Sequence, residues 1–376
     1  MKRNLKKAFC NCPVRFAHLL RKARPYSSKA KAGRTLNVGA GACALPCTWK
    51  GACDWTAAVS FLGAVFVLTL SLTASGGEGE GAITVTDMTG RNLTLDHPAE
   101  KVVALQPSDC EILYALGAGD RLVGRGAYCD YPAEVSNVPQ VQSGADTNVE
   151  EIISLNPDLV LMNTMSQSED QLKMLERAGI PVAESVASDI DGVYDGITMI
   201  GELTGLRDEA EALISSMKET FEEVSRNAGD FSRSIYFEVS PLEYGLWTAG
   251  KNTFMDEVAT MLGLRNCFAD VDGWGEISEE EVLERDPDYI VTISMYFGEG
   301  PTPEEEIASR TGWGSISAVK SGRILNLRGD ELSRPGPRLA AGARLVYDFV
   351  HETDTESGVE TESEAGTARG MNEDAA

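Results

Sequence analysis

Three aromatic side chains stand out as residues that could hold a small molecule. Tyr128 occurs in AYCDYP, Trp247 in GLWTAG and Trp274 in DGWGEIS, and we place each in a loop that follows a strand or precedes a helix. The carboxyl ends of strands are where α/β sheets bind ligands. Taken singly, each aromatic ring has the alternative role of a packing residue. As a set of three, they predict an aromatic ligand cleft.

A charged loop, LRGDELSRPGPR, adds acidic and basic side chains at another position of this kind. It contains Asp330, Arg334 and Arg338 and follows a predicted strand. An arginine can hold an anionic ligand group, bidentately where the geometry permits. The alternative is a salt bridge within the loop itself.

A short sequence motif occurs twice in the chain. EEIISLNPDLVL begins at Glu150, and EEVLERDPDYIV begins at Glu280, 130 residues later. Both read as a short helix, a turn through Asn/Asp-Pro-Asp and a buried strand. A period of this length indicates two duplicated lobes rather than a solenoid.

The sequence lacks the complete residue sets that several catalytic chemistries need. GLWTAGKNT resembles a phosphate-binding loop, but Asn252 stands where Ser or Thr should hold Mg²⁺. The chain has only three His, and they are dispersed, whereas a zinc or manganese receptor needs clustered ligands. No Gly-x-Ser-x-Gly motif appears. We therefore predict no enzyme, no cofactor and no resident metal.

The elements that must position these residues alternate between strand and helix. A hairpin at 83–95 precedes strands at 101–105, 120–126, 158–163 and 180–185, with helices between them. This order predicts a parallel sheet with covering helices. A long helical stretch then runs to about Asn227, with an apolar face that includes Leu213, Met217 and Val224. The alternation resumes from Ser234, which predicts a second α/β lobe.

Charge is distributed unevenly along the chain. Residues 1–56 carry twelve Lys or Arg and one acid, which leaves 21 basic and 57 acidic residues in the remainder. So acidic a body would repel nucleic acid. Ala57–Ala74 is an eighteen-residue stretch without a charge, preceded by basic residues. It predicts a signal peptide or membrane anchor with the acidic body outside the cytoplasm.

The cysteines are divided in the same way. Five lie in residues 1–56, and Cys110, Cys129 and Cys267 lie in the body. Three thiols are not a disulfide framework, so at most one pair can form there. Beyond Thr353, Glu, Thr, Ser, Gly and Ala dominate, and this composition predicts a disordered tail.

The combination of motifs resembles the solute-binding proteins of importers for vitamin B12 and ferric siderophores. KVVALQPSDCEILYALGAGDRLVGRGAYCDYP and NVEEIISLNPDLVLM resemble the first lobe of that family. TAGKNTFMDEVATMLGLRN, GWGEISEEEVLERDPDYIV and RPGPR resemble the second. The resemblance implies an α/β fold of two Rossmann-like lobes with parallel sheets, joined by one long rigid helix, with the ligand cleft between the lobes.

The domain organisation that follows has seven parts. They are a basic leader (1–56), a signal peptide or anchor (57–75), a linker (76–82), an N-terminal lobe (83–188), an interlobe helix (189–228), a C-terminal lobe (229–352) and an acidic tail (353–376).

The resemblance also implies roles for particular residues. Tyr128, Trp247 and Trp274 match aromatic positions of the cleft, and Asp330 and Arg334 fall in the loop that completes it. Glu150 and Glu280 match the glutamates that dock onto arginines of the membrane permease. Their neighbours Glu151, Glu279 and Glu281 are alternatives, and so is a purely local role at the helix start, where negative charge is favourable.

The function implied is that of an extracytoplasmic receptor, a monomer that delivers a metal chelate to an ABC permease and its ATPase. The ligand is a cobalamin or other corrinoid, or a ferric siderophore. Gly144 and Ala145 stand where B12-binding relatives have an aromatic residue, which leaves haem as an alternative ligand. A different alternative is an enzyme that holds a metallocofactor between two such lobes.

Overall fold

A computed structural model describes residues 82–163, 166–294 and 300–353. The chain divides into the units Met1–Gly79 and Glu80–Ala376, and the first of these lies outside the described residues. The predictions for the leader, for segment 57–75, for nearly all of the linker and for the tail past residue 353 therefore also fall outside them. Among the residues described, no helix is long and apolar enough to cross a membrane.

The first lobe contains a hairpin and a four-stranded sheet. The hairpin consists of β1 (Ile83–Thr86) and β2 (Asn92–Leu95). The sheet strands are β3 (Val102–Ala104), β4 (Leu122–Arg125), β5 (Leu159–Met162) and β6 (Val182–Glu184), in the order β4-β3-β5-β6. All its pairs are parallel, as predicted. Its helices are α1 (Pro107–Ala115), α2 (Val149–Ser154) and α3 (Glu169–Arg177).

The second lobe has a mixed sheet. Its strands are β7 (Ser234–Ser240), β8 (Trp247–Ala249), β9 (Arg265–Asn266), β10 (Trp274–Glu276), β11 (Tyr289–Thr292) and β12 (Ile324–Asn326). The predicted parallel pairing holds for β9, β7, β11 and β12. The structure corrects it for β8, which is antiparallel to both β7 and β10. The six residues between β7 and β8 are too few for a helical crossover, so the chain reverses directly.

The helices of this lobe include one, over Pro303–Ser309, that the sequence did not predict. They are α6 (Phe254–Met261), α7 (Glu279–Arg285), α8 (Pro303–Ser309), α9 (Ser317–Lys320) and α10, which covers residues 339–353.

The interlobe segment contains two helices instead of the one predicted over 189–228. They are α4 (Ile190–Thr204) and α5 (Arg207–Ser225). Gly205 ends α4 with a φ of 72°, a left-handed conformation that suits glycine. The two helices pack closely, since a side-chain carbon at Gly201 would lie 2.6 Å from the Ala210 Cβ. The nineteen residues of α5 span about 28 Å, which retains the long helix within the segment.

One apolar core runs through both lobes. It includes Leu113 of the first lobe, Ile197 and Phe221 of the interlobe helices, and Val258 and Leu339 of the second lobe. Two smaller clusters lie apart from it, one in each lobe. Because moving the lobes apart would open the shared core, the packing favours small adjustments over wide hinge opening.

The duplicated motif has the same local structure in both lobes. Asn156 and Asp286, 130 residues apart, have positive φ values of 49° and 42°. Two residues later, Asp158 accepts a 2.9 Å hydrogen bond from the Lys101 amide, and Asp288 accepts one of 2.8 Å from the Ser234 amide. Each aspartate thus fastens its turn to the start of the neighbouring strand.

A buried ion pair and a tryptophan beside it connect the second sheet to the start of α7. Arg310 donates two hydrogen bonds of 2.7 and 2.9 Å to Glu238 on β7, and both side chains are at most 2% exposed. The guanidinium lies 4.3 Å from the ring centre of Trp313. Trp313 in turn donates a 3.0 Å bond from Nε1 to Glu279 in the first turn of α7. The start of α7 is therefore held in place by contacts that lead back to the buried ion pair.

We predict that Glu238→Gln destabilises the protein by about 3 kcal/mol, because it removes the charge that compensates a buried arginine. The value lies at the lower end of the usual range because Glu306 also contacts Arg310, at 2.6 Å. Urea unfolding measures the change. The control Glu169→Gln breaks the exposed pair with Lys173 and should leave stability nearly unchanged. Equal stability for the two variants would contradict the prediction.

Candidate functional site

The candidate ligand residues lie near the carboxyl ends of the two sheets. The loop that contains Tyr128 follows β4, and the loop that contains Asp330 and Arg334 follows β12. These are the ends at which α/β sheets bind ligands. The structure adds a direct connection between the two loops, which the sequence did not predict.

Glu111 on α1 is the centre of that connection. Its side chain is 1% exposed, and it accepts bonds from Arg338 Nε at 2.8 Å and Nη2 at 2.7 Å. Arg334 Nη1 donates to the same carboxylate at 3.0 Å and to Asp130 at 2.7 Å. Two arginines of the second lobe thus hold two carboxylates of the first. We call Glu111, Asp130, Arg334 and Arg338 the interlobe ion cluster.

The alternative interpretation of Asp330 and Arg334, a salt bridge between them, is also present. Arg334 Nη2 donates to Asp330 at 2.6 Å, so the salt bridge within the loop exists alongside the interlobe bonds. Burial opposes the charge of Arg334, but the bonds to Asp130, Asp330 and Glu111 outweigh it and raise its pKa. With three carboxylate partners, the charge of Arg334 is already compensated within the protein.

Tyr128 and Tyr131 flank the interlobe ion cluster. Tyr128 is 47% exposed, which leaves much of its ring open to a ligand. The Arg338 guanidinium lies 4.0 Å from the ring centre of Tyr131, a cation–π contact between the lobes. Glu111, Asp130 and Tyr131 were missed by the sequence reasoning. Asp130 and Tyr131 stood beside Tyr128 in AYCDYP, whereas nothing local distinguished Glu111.

Trp247 and Trp274 come together on the β8–β10 ribbon. They lie in strands, which corrects the prediction that both are in loops. Trp274 is opposite Ala249, and Trp247 is two residues before Ala249, so the two indoles project from the same face of the ribbon. Trp274 also packs against Phe254 with ring centres 5.3 Å apart. Within the described residues, no hydrogen bond or ring contact joins this pair to Tyr128 or Arg334.

The phosphate-loop resemblance in GLWTAGKNT has a structural explanation. A side-chain carbon at Gly250 would lie 2.2 Å from the Val271 carbonyl oxygen, so glycine permits a close approach of two backbones. Asn252 donates a 2.7 Å bond to Asp272, and Thr253 caps α6. Packing and capping thus account for these residues. Among the residues described, no three His, Cys, Asp or Glu are grouped to hold a metal ion.

Glu150 and Glu280 occupy the same position in their helices. Each is the second residue after the N-cap, which is Asn148 in α2 and Ser278 in α7. Both side chains are exposed. Because these helices run opposite to the parallel strands they connect, their first turns lie at the carboxyl edge of each sheet. The two carboxylates therefore lie at the edge where the candidate ligand loops begin.

The neighbouring acids have local partners. Glu151 accepts a 3.2 Å bond from the Gln142 amide, and Glu281 closes a capping box with Ser278. Glu279 accepts from Trp313, as described above. In the described part of the chain, Glu150 and Glu280 have no hydrogen bond or ion pair through their side chains. Of the alternatives at each helix start, these two are the ones that the fold leaves available.

Comparison with known proteins agrees with this architecture. A family model described as periplasmic binding protein matches residues 102–331. An uncharacterised ABC transporter substrate-binding lipoprotein, YvrC of Bacillus subtilis, is 36% identical over 72% of this chain and 85% of its own.

The chain belongs to the periplasmic binding protein family. A cobalamin-binding protein of Halobacterium salinarum is 28% identical over 72% of this chain and 74% of its own. The crystal structure of a possible iron-binding periplasmic solute-binding protein from Staphylococcus epidermidis is 33% identical, with a TM-score of 0.57, and covers 68% of this chain and 99% of that one. This periplasmic binding protein is the solute-binding component of an ABC transporter.

For this periplasmic binding protein, we predict that Glu111→Gln loosens the contact between the lobes. Each hydrogen bond to a charged group contributes about 1.5–3 kcal/mol, so loss of the charge should speed amide exchange in loop 329–338 about tenfold or more. Hydrogen–deuterium exchange with mass spectrometry measures it. Asp130→Asn is the matched control, because Asp130 is 70% exposed and should have a smaller effect. Unchanged protection in Glu111→Gln would refute the interlobe role of Glu111.

Proposed function

We propose that this protein captures a metal chelate, a corrinoid or a ferric siderophore, between its lobes and delivers it to the permease. The observation that carries the proposal is the pair formed by Trp247 and Trp274 on one face of the β8–β10 ribbon. Two indoles on one face offer a broad apolar surface, which suits a large ring system or a multidentate chelate better than a bare ion.

The charges of the cleft favour the same class of ligand. The interlobe ion cluster neutralises its own arginines, so it does not form a free cationic pocket for a small inorganic anion. Tyr128 remains exposed next to the cluster and adds a ring with a hydroxyl group. A chelate that presents apolar rings and a few hydrogen-bonding groups fits this combination. The names of the cobalamin-binding and possible iron-binding relatives point to the same ligands.

Delivery to the permease is assigned to Glu150 and Glu280. Both are exposed, occupy equivalent helix positions and have no local partner among the described residues. One carboxylate on each lobe would fix the orientation of the protein on a permease that presents two basic patches, and long-range attraction would speed the encounter. Segment 57–75 would direct the acidic body out of the cytoplasm. It would do so either as a signal peptide that is then cleaved or as an anchor that is retained.

Titration with cyanocobalamin and with several ferric siderophores tests the ligand class. We expect saturable 1:1 binding of at least one of them by calorimetry, with quenching of tryptophan fluorescence. Trp274→Ala should weaken that binding by about tenfold or more, since a lost ring contact removes 1–2 kcal/mol or more. Phe231→Ala is the control, because Phe231 is 52% exposed and precedes the amino end of β7, away from the cleft edge. Failure of all these chelates and of haem to bind would contradict the proposal.

A second experiment tests docking by replacing Glu150 and Glu280 together with Ala. Chelate affinity should stay unchanged, while the concentration needed for half-maximal stimulation of ATP hydrolysis by the reconstituted transporter should rise about tenfold or more. Asp170→Ala combined with Glu284→Ala is the matched control, since it removes one exposed acid per lobe with the same change in net charge. If both double variants stimulate like the unaltered protein, the docking role is wrong.

A further inference from the structure

Two buried thiols meet at the carboxyl end of the first sheet. Cys110 on α1 is 0% exposed, and Cys129 in the loop after β4 is 1% exposed. Each thiol donates to the same acceptor, the Ala104 carbonyl oxygen at the end of β3, at 3.8 Å. Both are free cysteines. The fold has thus brought together two of the three cysteines that the body of the chain contains.

The surrounding backbone fixes both sulfurs in this place. The Gly126 amide donates to the same Ala104 carbonyl at 2.9 Å, and the Cys129 amide donates to Gly126 at 3.2 Å. Arg125 Nη1 donates to the Cys129 carbonyl at 3.0 Å. Cys110 is held by its helix, next to the same strand end. The neighbouring Cys129 thiol, together with burial, raises the pKa of Cys110 well above its usual range. The Cys110 thiol is therefore protonated and unreactive once the protein has folded in the reduced form.

We infer that Cys110 and Cys129 form a disulfide when the body of the protein folds outside the cytoplasm, where oxidising conditions prevail. In the half-folded chain, the Cys110 thiolate attacks a small-molecule disulfide such as glutathione disulfide and releases one thiolate. The Cys129 thiolate then attacks the mixed disulfide and releases the second. Two protons and two electrons leave the protein, and the oxidant is reduced to two thiols.

The consequence of this bond follows from the residues next to it. Cys110 precedes Glu111, and Cys129 precedes Asp130. Glu111 and Asp130 are the two carboxylates of the first lobe that bind Arg334. A bond between the cysteines would fix the spacing of these acids before the second lobe engages them. The disulfide would thereby preorganise the first-lobe half of the interlobe ion cluster.

Cys267 provides an internal control. It is 7% exposed and belongs to a separate apolar cluster in the second lobe. Burial raises the pKa of its thiol too, so its reactivity in the folded state is also low. Because it lies away from Cys110 and Cys129, we expect it to stay reduced under conditions that oxidise the pair.

Peptide mapping of the full chain tests the inference. The protein is unfolded, refolded with glutathione disulfide and reduced glutathione, and alkylated under denaturing conditions. Trypsin cleavage after Lys101, Arg121 and Arg125 places Cys110 and Cys129 on different peptides, so a bond between them yields one linked species. We expect that species, with Cys267 alkylated. Two separately alkylated peptides, or links from either cysteine to Cys267 or to residues 1–56, would overturn the inference.

Thermal unfolding provides a second readout. Reduction should lower the melting midpoint of the oxidised protein by roughly 5 °C or more, as a bond closing a loop of this length predicts. Cys129→Ala should abolish this dependence on reductant, and Cys267→Ala should retain it. A midpoint that does not respond to reductant in the unaltered protein would show that the thiols stay free. Neither readout uses a ligand, so the proposed function is tested separately.

Discussion

The carboxylate of Glu111 lies almost out of reach of water, and two arginines from the other lobe compensate its charge. A buried carboxylate without partners would be strongly unfavourable, so the arrangement is stable only while Arg334 and Arg338 remain in place. The loop after β12 is thereby held against α1, and with it the edge of the cleft is defined. The shared apolar core beneath the loop acts in the same direction.

This constraint also bears on the proposed delivery of the ligand to the permease. The candidate ligand residues and the glutamates at the starts of α2 and α7 lie along the carboxyl edges of the sheets. A ligand that changes how the second lobe rests on the first also changes the spacing of Glu150 and Glu280. Because the shared core resists wide opening, the change is expected to be small, and a rigid two-point contact is suited to detecting it.

Much of the framework could be predicted from the sequence because it rests on local patterns. The buried strands, the amphipathic helices and the duplicated Pro-Asp turn all follow from periodicity and turn chemistry. The break between α4 and α5 could also have been predicted, because Gly205 is a typical helix-ending glycine. The local role of Glu281 also follows from the sequence, since Ser278 and Glu281 have the spacing of a capping box.

Other features depend on contacts that no local pattern contains. Glu111 and Arg338 are 227 residues apart, and nothing near either residue indicates that they pair. The β8–β10 ribbon consists of two three-residue strands, which are too short to show alternation. The prediction of Tyr128, Trp247 and Trp274 as a set came from their places after strands or before helices, and the family resemblance supported it. The structure adds that the two tryptophans share a face, whereas Tyr128 belongs to the opposite lobe.

The most direct test of the account is native mass spectrometry, with cobalt and iron analysis, of the full chain purified from its own membranes. The cells are grown with a corrinoid and a ferric siderophore supplied. We predict a mass above that of the polypeptide that corresponds to one chelate per chain, with a matching content of cobalt or iron. A polypeptide mass without any chelate, and neither metal above background, would contradict it.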